Sequence, residues 1–483
     1  QGEVIVPRNH IDLRIVRDLP IRPSAEKTYL LAPRYLESFD EFDVLMVPAQ
    51  RTERFWLTIK VPEDAPAGIA QGSINISCRN GGQQTLTLAI RVLPFRLAVP
   101  DPEKDINFQI LCRTNDSRRA TYGRHCDPGE IQRLFVDMAE HGMNSTNYES
   151  LTPAYKRLED GSFTFDFEKS GGTGYYSLNE YMYFLQNSGL NGPVCLYNGP
   201  YSWSKYSAAR YGDIGSPDCN AFLQAIVRAV EEQRRKMSWP EFLYFIGDEP
   251  GGNADRLKLN MNCGQQIKAV DPKLRISNFF NGQWGGTKDW KILKEVSDIN
   301  CTNFINEETL SESPAIGYES VWGYNGCYSY PTDTRGYRVF YGFHPWKCGL
   351  KGITQYVSRA FPVDDPNTDG CVAYDQINNC NGGTAHSYDF TYPSAEGPLP
   401  TPKWESIRQG INDYRYLLTL QQLLRSHSGP EKVAAAQKVL DEVMENYHLN
   451  YQSHERYRII ELYSPESMDV HRWKIARAIM DLL

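Results

Sequence analysis

The sequence lacks a long apolar run and an excess of positive charge. None of its 483 residues lie in a stretch near the ~20 consecutive apolar residues that a membrane-spanning helix requires. Its 59 acidic residues outnumber its 51 Lys and Arg residues, and the net charge of −8 gives little attraction to phosphate backbones. We therefore expect no membrane span, and we do not expect nucleic acid to be the main partner.

The chain also lacks the usual signatures of metal and nucleotide sites. Its 11 cysteines are odd in number and have no Cys-x-x-Cys spacing, so neither a disulfide framework nor a zinc cluster is indicated, and most should be buried free thiols. His141 and the acidic loop at 364–369 could suggest a metal site, but the loop lacks the spaced ligands and the closing Glu of a calcium loop, so a surface loop is expected. The glycine pairs at 285–286 and 382–383 do not continue into Lys-Ser or Lys-Thr. No metal and no cofactor are predicted.

Aromatic residues, by contrast, are abundant. They make up 12% of the chain and include 30 Tyr and 9 Trp. Tyr and Trp combine an apolar face with a polar group, which suits stacking on sugar rings. A core rich in tyrosine explains the same composition, so their positions must decide between the two interpretations.

The N-terminal part of the sequence is typical of antiparallel β structure. A chain of 483 residues exceeds the size of one ordinary core, so more than one structural unit is expected. Apolar and polar residues alternate over 54–61, 71–77 and 84–92, with turn residues between these stretches. This pattern predicts a β-sandwich over residues 1–98, followed by a proline-bracketed linker.

From residue 105 onward, apolar strand-like runs alternate with amphipathic helical stretches, which indicates βα units around a parallel sheet. Eight strands in about 250 residues have the size and rhythm of a (β/α)8 barrel, predicted here over residues 105–425. An open doubly wound sheet fits the same spacing. The remaining residues, 426–483, are predicted to form a C-terminal helical extension. The predicted strands are 106–112, 145–148, 193–197, 242–246, 274–280, 299–305, 320–324 and 352–357.

The fourth predicted strand ends in two adjacent carboxylates, Asp248 and Glu249. Barrel active sites lie at the carboxyl ends of the strands, where such a pair must be solvated, paired or catalytic. Glycoside hydrolysis needs a carboxylic acid beside the leaving oxygen, a role that Glu249 could fill. The alternative is structural, because Asp248 or Asn253 could cap a helix that begins near Ala254.

At this point the chain resembles glycoside hydrolase family 123 and its relatives. Four segments carry the resemblance: 55–62 with Gly68, the Phe-Ile-Gly-Asp-Glu-Pro stretch at 245–250, 346–352, and 398–417. The resemblance implies an N-terminal β-sandwich, a (β/α)8 barrel with an Asp-Glu pair after strand four, and a helical end. The sequence departs from the family after Gly352. Residues 353–361 stand where the family has an aromatic strand that contains Trp, and a long polar loop follows.

The resemblance also implies an activity and a mechanism. It points to a β-N-acetylgalactosaminidase acting on glycan substrates by substrate assistance, in a setting outside the cytoplasm. In that scheme the sugar's 2-acetamido oxygen attacks the anomeric carbon, Asp248 stabilises the oxazolinium, and Glu249 is first acid and then base. No protein nucleophile is required. The seventh strand end, 322–328, offers no carboxylate where two-carboxylate barrel enzymes carry theirs, which favours this scheme.

Asparagine and aromatic residues at predicted strand ends are candidate sugar contacts, because amides and hydroxyls bind sugar hydroxyls and indoles stack on rings. They are Asn147, Tyr197, Asn198, Trp203, Asn278, Asn281, Trp284, Asn303, Trp322, Tyr324 and Asn325.

Two other functions remain open. Glu307 and Glu308 follow the sixth strand, so one of them could act with Glu249 in a two-carboxylate glycosidase that needs no acetamido group. A solvated loop explains the same two residues. The second alternative is a non-catalytic glycan-binding protein, because a barrel fold does not guarantee activity. The sequence does not decide between endo and exo action. It also does not give the oligomeric state.

Overall fold

The structure is a computed structural model of the chain. It describes residues 5–21, 30–40, 43–112, 128–149, 152–171, 176–197, 199–281, 289–324, 334–355, 390–392, 394, 397–449 and 462–483.

The N-terminal region is antiparallel β structure. β1 (Ile11–Ile21) lies between β2 (Leu30–Ser38) and β3 (Phe55–Ile59), and β4 (Gly68–Ser77) pairs with β5 (Gln83–Val92) as a separate two-stranded ribbon. The alternation at 54–61, 71–77 and 84–92 therefore predicts three of these strands correctly.

Most side chains of the ribbon are exposed or half-buried. Sandwich strands bury every other residue against the facing sheet. In β4 and β5, however, Ala70 and Val92 are the buried side chains, and the rest are exposed or half-buried. The three-stranded sheet is instead attached to the rest of the protein through Arg34, which is 2% exposed and donates from Nε to the Tyr392 hydroxyl at 3.0 Å. The structure thus shows an N-terminal β region, and its arrangement as a sandwich stays a prediction.

The remainder of the described chain is α/β. Its elements are, in chain order, β6 (Asn107–Phe108), β7 (Leu111–Cys112), α1 (Pro128–Glu140), β8 (Asn147–Glu149), β9 (Pro153–Arg157), β10 (Phe163–Ser170), α2 (Leu178–Gln186), β11 (Val194–Tyr197), α3 (Gly199–Tyr211), α4 (Pro217–Lys236), β12 (Phe242–Asp248), α5 (Ala254–Val270), β13 (Ile276–Phe280), α6 (Asp289–Leu293), β14 (Ile299–Thr302), α7 (Glu307–Ala315), β15 (Ser320–Tyr324), α8 (Arg335–Tyr341), α9 (Phe343–Cys348), β16 (Gly352–Thr354), β17 (Thr391–Tyr392), β18 (Leu399–Pro400), α10 (Pro402–Ser426), α11 (Pro430–Glu445) and α12 (Pro465–Leu482).

A curled parallel sheet forms the centre of this part. Its strand order is β6-β16-β15-β14-β13-β12-β11-β8-β7. Strands β11, β13 and β14 are buried along their whole length, because helices cover one face and the sheet's own interior covers the other. Continuous apolar runs rather than alternating ones are the sequence signature of such strands, which is why they could be predicted.

Two apolar cores follow from this curl. Side chains on the inner face form one cluster, which includes Leu243, Phe245 and Cys301. Side chains on the outer face pack against the surrounding helices in a larger cluster, which includes Phe242 and Tyr244. Alternate residues of one strand thus enter different cores, as the pleat of a strand requires.

The helical end is present and packs onto the sheet's helices. Helices α8 and α9 are separated at Gly342, where a Cβ atom would lie 2.7 Å from the carbonyl oxygen of Gly410. α12 is held to α10 by Arg472, whose Nε donates to Asp413 at 2.5 Å. In the part of the chain that the structure describes, no helix is both long enough and apolar enough to cross a membrane.

Candidate active site

Asp248 and Glu249 lie at the carboxyl end of β12, where a β-bulge changes the direction of the strand. Phe245 pairs with Ser277 and Asp248 with Phe279, so β12 has one residue more than β13 over this stretch. Glu249 then adopts a left-handed backbone conformation with φ of 43°. Adjacent side chains on a regular strand point to opposite faces, whereas a bulge followed by a left-handed residue can turn both toward one side.

Hydrogen bonds to backbone groups hold this turn in place. The amide of Glu249 donates to the carbonyl of Phe279 at 2.9 Å, and Arg256 donates to the carbonyl of Glu249 at 3.3 Å. Asn253 supplies the N-cap of α5 by accepting from the amide of Arg256 at 3.0 Å. The cap interpretation therefore applies to Asn253, and it does not account for Asp248.

Each carboxylate of the pair accepts a hydrogen bond from a tyrosine at the end of another strand. Tyr197, the last residue of β11, donates from its hydroxyl to Oδ2 of Asp248 at 3.0 Å. Tyr324, the last residue of β15, donates to Oε1 of Glu249 at 2.8 Å. Burial, and then the negative charge of Glu249, raise the pKa of Tyr324 well above its usual value, so this hydroxyl stays protonated and remains a donor.

An aromatic floor supports both tyrosines. The ring of Phe279 lies 5.2 Å from that of Tyr197, 4.7 Å from that of Tyr324 and 4.6 Å from that of Phe245, measured between centroids. All four side chains belong to the inner core of the curled sheet. The carboxylates therefore stand on a rigid apolar base, with Asp248 exposed and Glu249 half-buried. This arrangement suits proton transfer to a bound substrate.

The structure places the other candidate sugar contacts in three different settings. Asn281 and Asn303 directly follow β13 and β14, at the same sheet edge as the pair. Asn147 and Asn278 are fully buried: Nδ2 of Asn147 donates to Oγ1 of Thr354 at 2.6 Å, and Asn278 contacts a neighbouring amide described below. Asn198, Trp284 and Asn325 lie outside the described residues.

The two described tryptophans among these candidates are core residues. Trp203 is 2% exposed in the outer core, and its ring packs against Gly199. Trp322 is 3% exposed in the inner core and covers Gly352, where a Cβ atom would lie 2.0 Å from the indole. The structure does not bring either indole face to the Asp248 and Glu249 pair, because packed side chains cover both.

Glu307 and Glu308 have a structural explanation. Both are exposed in the first turn of α7, where carboxylates interact favourably with the helix dipole. Asn306 caps this helix by accepting from the amide of Thr309 at 2.7 Å. No hydrogen bond or ion pair links either glutamate to the pair at the end of β12 among the contacts of the described residues.

His141 belongs to a buried ionic cluster rather than to a metal site. Its Nε2 lies 3.1 Å from Oε1 of Glu405 and 2.7 Å from a guanidinium nitrogen of Arg408, and its ring stacks on Trp404. Burial opposes ionisation of Glu405, but hydrogen bonding from His141 and the charge of Arg408 outweigh it and hold its pKa at about 2. Among the described residues, no group of three His, Cys, Asp or Glu side chains could hold a metal ion.

Several residues of the site were not predicted from the sequence. Phe279, Arg256 and Asn260 shape it without carrying its chemistry, and their neighbours come from distant strands or from α5. One local signal was present in Gly247, which precedes the pair. A Cβ atom at that position would lie 2.2 Å from the side-chain amide group of Asn260.

Comparison with known proteins adds a fold relationship. No protein-family model and no curated protein sequence matches the chain. Its structure is similar to that of a family 123 glycoside hydrolase from Clostridium perfringens studied for glycolipid glycan hydrolysis, with a TM-score of 0.66 over 99% of this chain and 87% of that one, at 12% identity. The predicted resemblance to family 123 is thereby confirmed at the level of the fold.

Two further structures match with lower TM-scores. A β-D-glucuronidase from Dictyoglomus thermophilum has a TM-score of 0.37 at 11% identity, over 83% of this chain and 64% of that one. An endo-1,4-beta-mannanase from Rhizomucor miehei has a TM-score of 0.35 at 12% identity, over 52% of this chain and 85% of that one.

Proposed function

We propose that this protein is a glycoside hydrolase that cleaves terminal β-linked 2-acetamido sugars, with β-N-acetylgalactosaminides as the first substrates to test. The observation that carries the proposal is that Asp248 and Glu249, at the bulge of β12, each accept from a tyrosine, and that both tyrosines pack on the ring of Phe279. The fold shared with a family 123 glycoside hydrolase supports a glycosidase. The acetamido specificity rests on the chemistry of the pair.

In the proposed reaction, the substrate's acetamido oxygen forms a bond to the anomeric carbon as the glycosidic bond breaks. Glu249 gives its proton to the leaving oxygen in this step. Asp248 accepts a hydrogen bond from the acetamido nitrogen and stabilises the positive charge of the oxazolinium. Glu249 then takes a proton from the water that opens the ring, so the sugar leaves with its anomeric configuration retained.

The position opposite Glu249 favours substrate assistance over a two-carboxylate mechanism. Tyr324 ends the seventh strand of the parallel sheet, and its hydroxyl contacts Glu249 directly. A protein nucleophile would need a carboxylate about 5 to 5.5 Å from the acid in a retaining enzyme. A protonated tyrosine at this place supports an internal nucleophile from the substrate.

Hydrolysis of chromogenic glycosides tests the proposal. We expect the β-N-acetylgalactosaminide or β-N-acetylglucosaminide to be cleaved, the β-galactoside to be left intact, and a thiazoline analogue of the oxazolinium to inhibit. Cleavage of the β-galactoside would contradict substrate assistance. Absence of turnover on every glycoside, combined with glycan binding, would support a binding protein instead.

We also propose that the curled sheet is a complete (β/α)8 barrel. The support for a closed barrel comes from the segment 107–112. This segment contains β6 and β7, which are the first and last strands in the strand order of the sheet. Amides of Asn107, Gln109 and Leu111 donate to carbonyls of the eighth strand region at 3.0, 2.8 and 2.9 Å, and β7 pairs with β8. An experimental structure that lacked either pairing would contradict a closed barrel.

The division into residues 1–98, 105–425 and 426–483 is likewise a proposal, as is a location outside the cytoplasm. Limited proteolysis tests the division, because cleavage in a linker between folded units should fall within 98–105 before other sites. Cleavage first inside the sheet region would contradict it.

A further inference from the structure

The bulge in β12 requires support, because it combines two unfavourable features. A bulge leaves one residue of its strand outside the ladder of hydrogen bonds. A non-glycine residue in the left-handed region, such as Glu249 with φ of 43°, is strained. The surrounding structure must therefore hold this segment in place.

Asn260 on α5 supplies that support from the outer side of the strand. With its amide nitrogen facing the strand, it donates to the carbonyl of Ile246 at 3.0 Å and to the carbonyl of Arg256 at 3.2 Å. Its amide oxygen accepts from Nδ2 of Asn278 at 2.8 Å. Asn260 is 1% exposed, so these bonds are shielded from water.

Gly247 makes this contact possible. The missing side chain of Gly247 leaves the space that the Asn260 amide occupies, since a Cβ atom there would lie 2.6 Å or less from three of its atoms. The amide therefore lies directly against the backbone of the bulge, one residue before Asp248 and two before Glu249. Asn278, expected from the sequence to contact sugar, instead orients this amide from the neighbouring strand β13.

We propose that Asn260 is a positioning residue: by bonding the Ile246 carbonyl of the bulge, it aims the proton donor Glu249 at the leaving oxygen without contacting substrate. The inference rests on the proposed function of Glu249. Without the amide donor, the Ile246 carbonyl loses its bond to Asn260, and the segment can relax toward a regular strand. That relaxation would turn Glu249 away from its place beside Asp248.

Leaving-group dependence distinguishes positioning from general stabilisation. The 2,4-dinitrophenolate group can leave without being protonated. The 4-methylumbelliferyl group on the same sugar depends more strongly on proton donation by the enzyme. If Asn260 acts through the proton donor, Asn260→Leu should lower kcat/KM about 100-fold for the methylumbelliferyl substrate and less than about 5-fold for the dinitrophenyl one. KM should change little.

Asn262→Leu is the matched control. Asn262 lies on the same helix, is 9% exposed, and its Nδ2 has no partner in the described part of the chain. Both substrates should be cleaved within about 3-fold of wild type by this variant. Should Asn260→Leu fail to fold, Asn260→Asp replaces it, since the aspartate keeps the size and the acceptor for Asn278 but lacks the amide donor.

The outcomes separate the two proposals. Equal losses on both substrates in a folded Asn260 variant would overturn the positioning role and leave the proposed function intact. A wild-type protein that cleaves neither acetamido glycoside would overturn the proposed function, and the role of Asn260 with it. A selective loss on the methylumbelliferyl substrate supports both.

Discussion

The hydroxyl of Tyr324 lies 2.8 Å from Oε1 of Glu249, although 75 residues separate the two in the chain. The tyrosine ring is anchored on Phe279, whose backbone carbonyl accepts from the amide of Glu249 at 2.9 Å. The same phenylalanine therefore supports the glutamate by its backbone and the glutamate's partner by its ring. Changes at either residue should be felt at the other.

Replacing Glu249 should abolish most activity. In Glu249→Gln the side chain keeps its shape but cannot give up a proton, and general acid catalysis contributes typically 10² to 10⁴-fold. We expect kcat/KM on an acetamido glycoside to fall within that range, with an unchanged melting temperature. Glu307→Gln is the control and should stay within about 2-fold, because Glu307 is exposed in a helix first turn. A large loss in the control would revive the two-carboxylate alternative.

Removing the Tyr324 hydroxyl should weaken catalysis without unfolding the protein. A hydrogen bond to a charged group is worth about 1.5–3 kcal/mol, so Tyr324→Phe should lower kcat/KM roughly 10- to 100-fold. Because the pKa of Tyr324 is raised well above its usual value by burial and by Glu249, its ionisation should not limit activity below about pH 10. Rate profiles of wild type and Tyr324→Phe should therefore both retain an alkaline limb. An alkaline limb that disappears in the variant would contradict this assignment.

Gly247→Ala should perturb both stability and activity. The new Cβ atom would lie 2.2 Å from the side-chain amide group of Asn260, and overpacking of this kind costs typically 1–3 kcal/mol. We expect a lower free energy of unfolding in urea together with reduced kcat. Gly72→Ala is the matched control, since nothing lies within 4 Å of the added atom in that strand. Two variants of equal stability would show that the Gly247 contact is unimportant.

Stability should depend on Glu405 most strongly at neutral pH. The pKa of Glu405 is held at about 2, below its ordinary value of 4.5, so the ionised carboxylate contributes about 3 kcal/mol above pH 4.5. This contribution is lost as the pH falls from 4.5 toward 2. The difference in unfolding free energy between wild type and Glu405→Gln should therefore be about halved at pH 3 relative to pH 7.

Wild type and Glu405→Gln share the other titratable groups around residue 405. They are His141, Arg408 and Asp137, and burial raises the pKa of Asp137. Glu140→Gln is a suitable control, because Glu140 forms an exposed pair with Lys60 worth about 0–1 kcal/mol. A pH-independent effect of Glu405→Gln would refute the proposed titration.

Local sequence patterns were sufficient for the strands of the parallel sheet and for most long helices. The run at 242–246 is apolar throughout, and β12 is buried on both faces, as such a run predicts. The N-terminal strands follow from alternation, whereas their arrangement as a sandwich stays a prediction, because alternation shows that a strand has two faces and not what covers them. The exposed β4–β5 ribbon is the example.

Helix α3 and the break between α8 and α9 were harder to predict. α3 has weak amphipathic character, and its burial of Trp203 depends on contacts with other elements rather than on a periodic stripe. The break between α8 and α9 follows from the close approach of Gly342 to Gly410 on α10, 68 positions later in the sequence. The first feature has no local signature, whereas Gly342 and Pro345 mark the second in the sequence.

By itself, the sequence determined that an apolar strand ends in Gly247, Asp248 and Glu249, and that this end belongs to a parallel sheet. Chain connectivity and strand polarity suffice for that inference, since carboxyl ends of parallel strands share one edge. Only the tertiary structure decided which side chains meet there. The bulge, the tyrosines on β11 and β15, and the contact of Asn260 with Gly247 depend on register and packing between distant segments. Such long-range contacts are absent from any local pattern of residues.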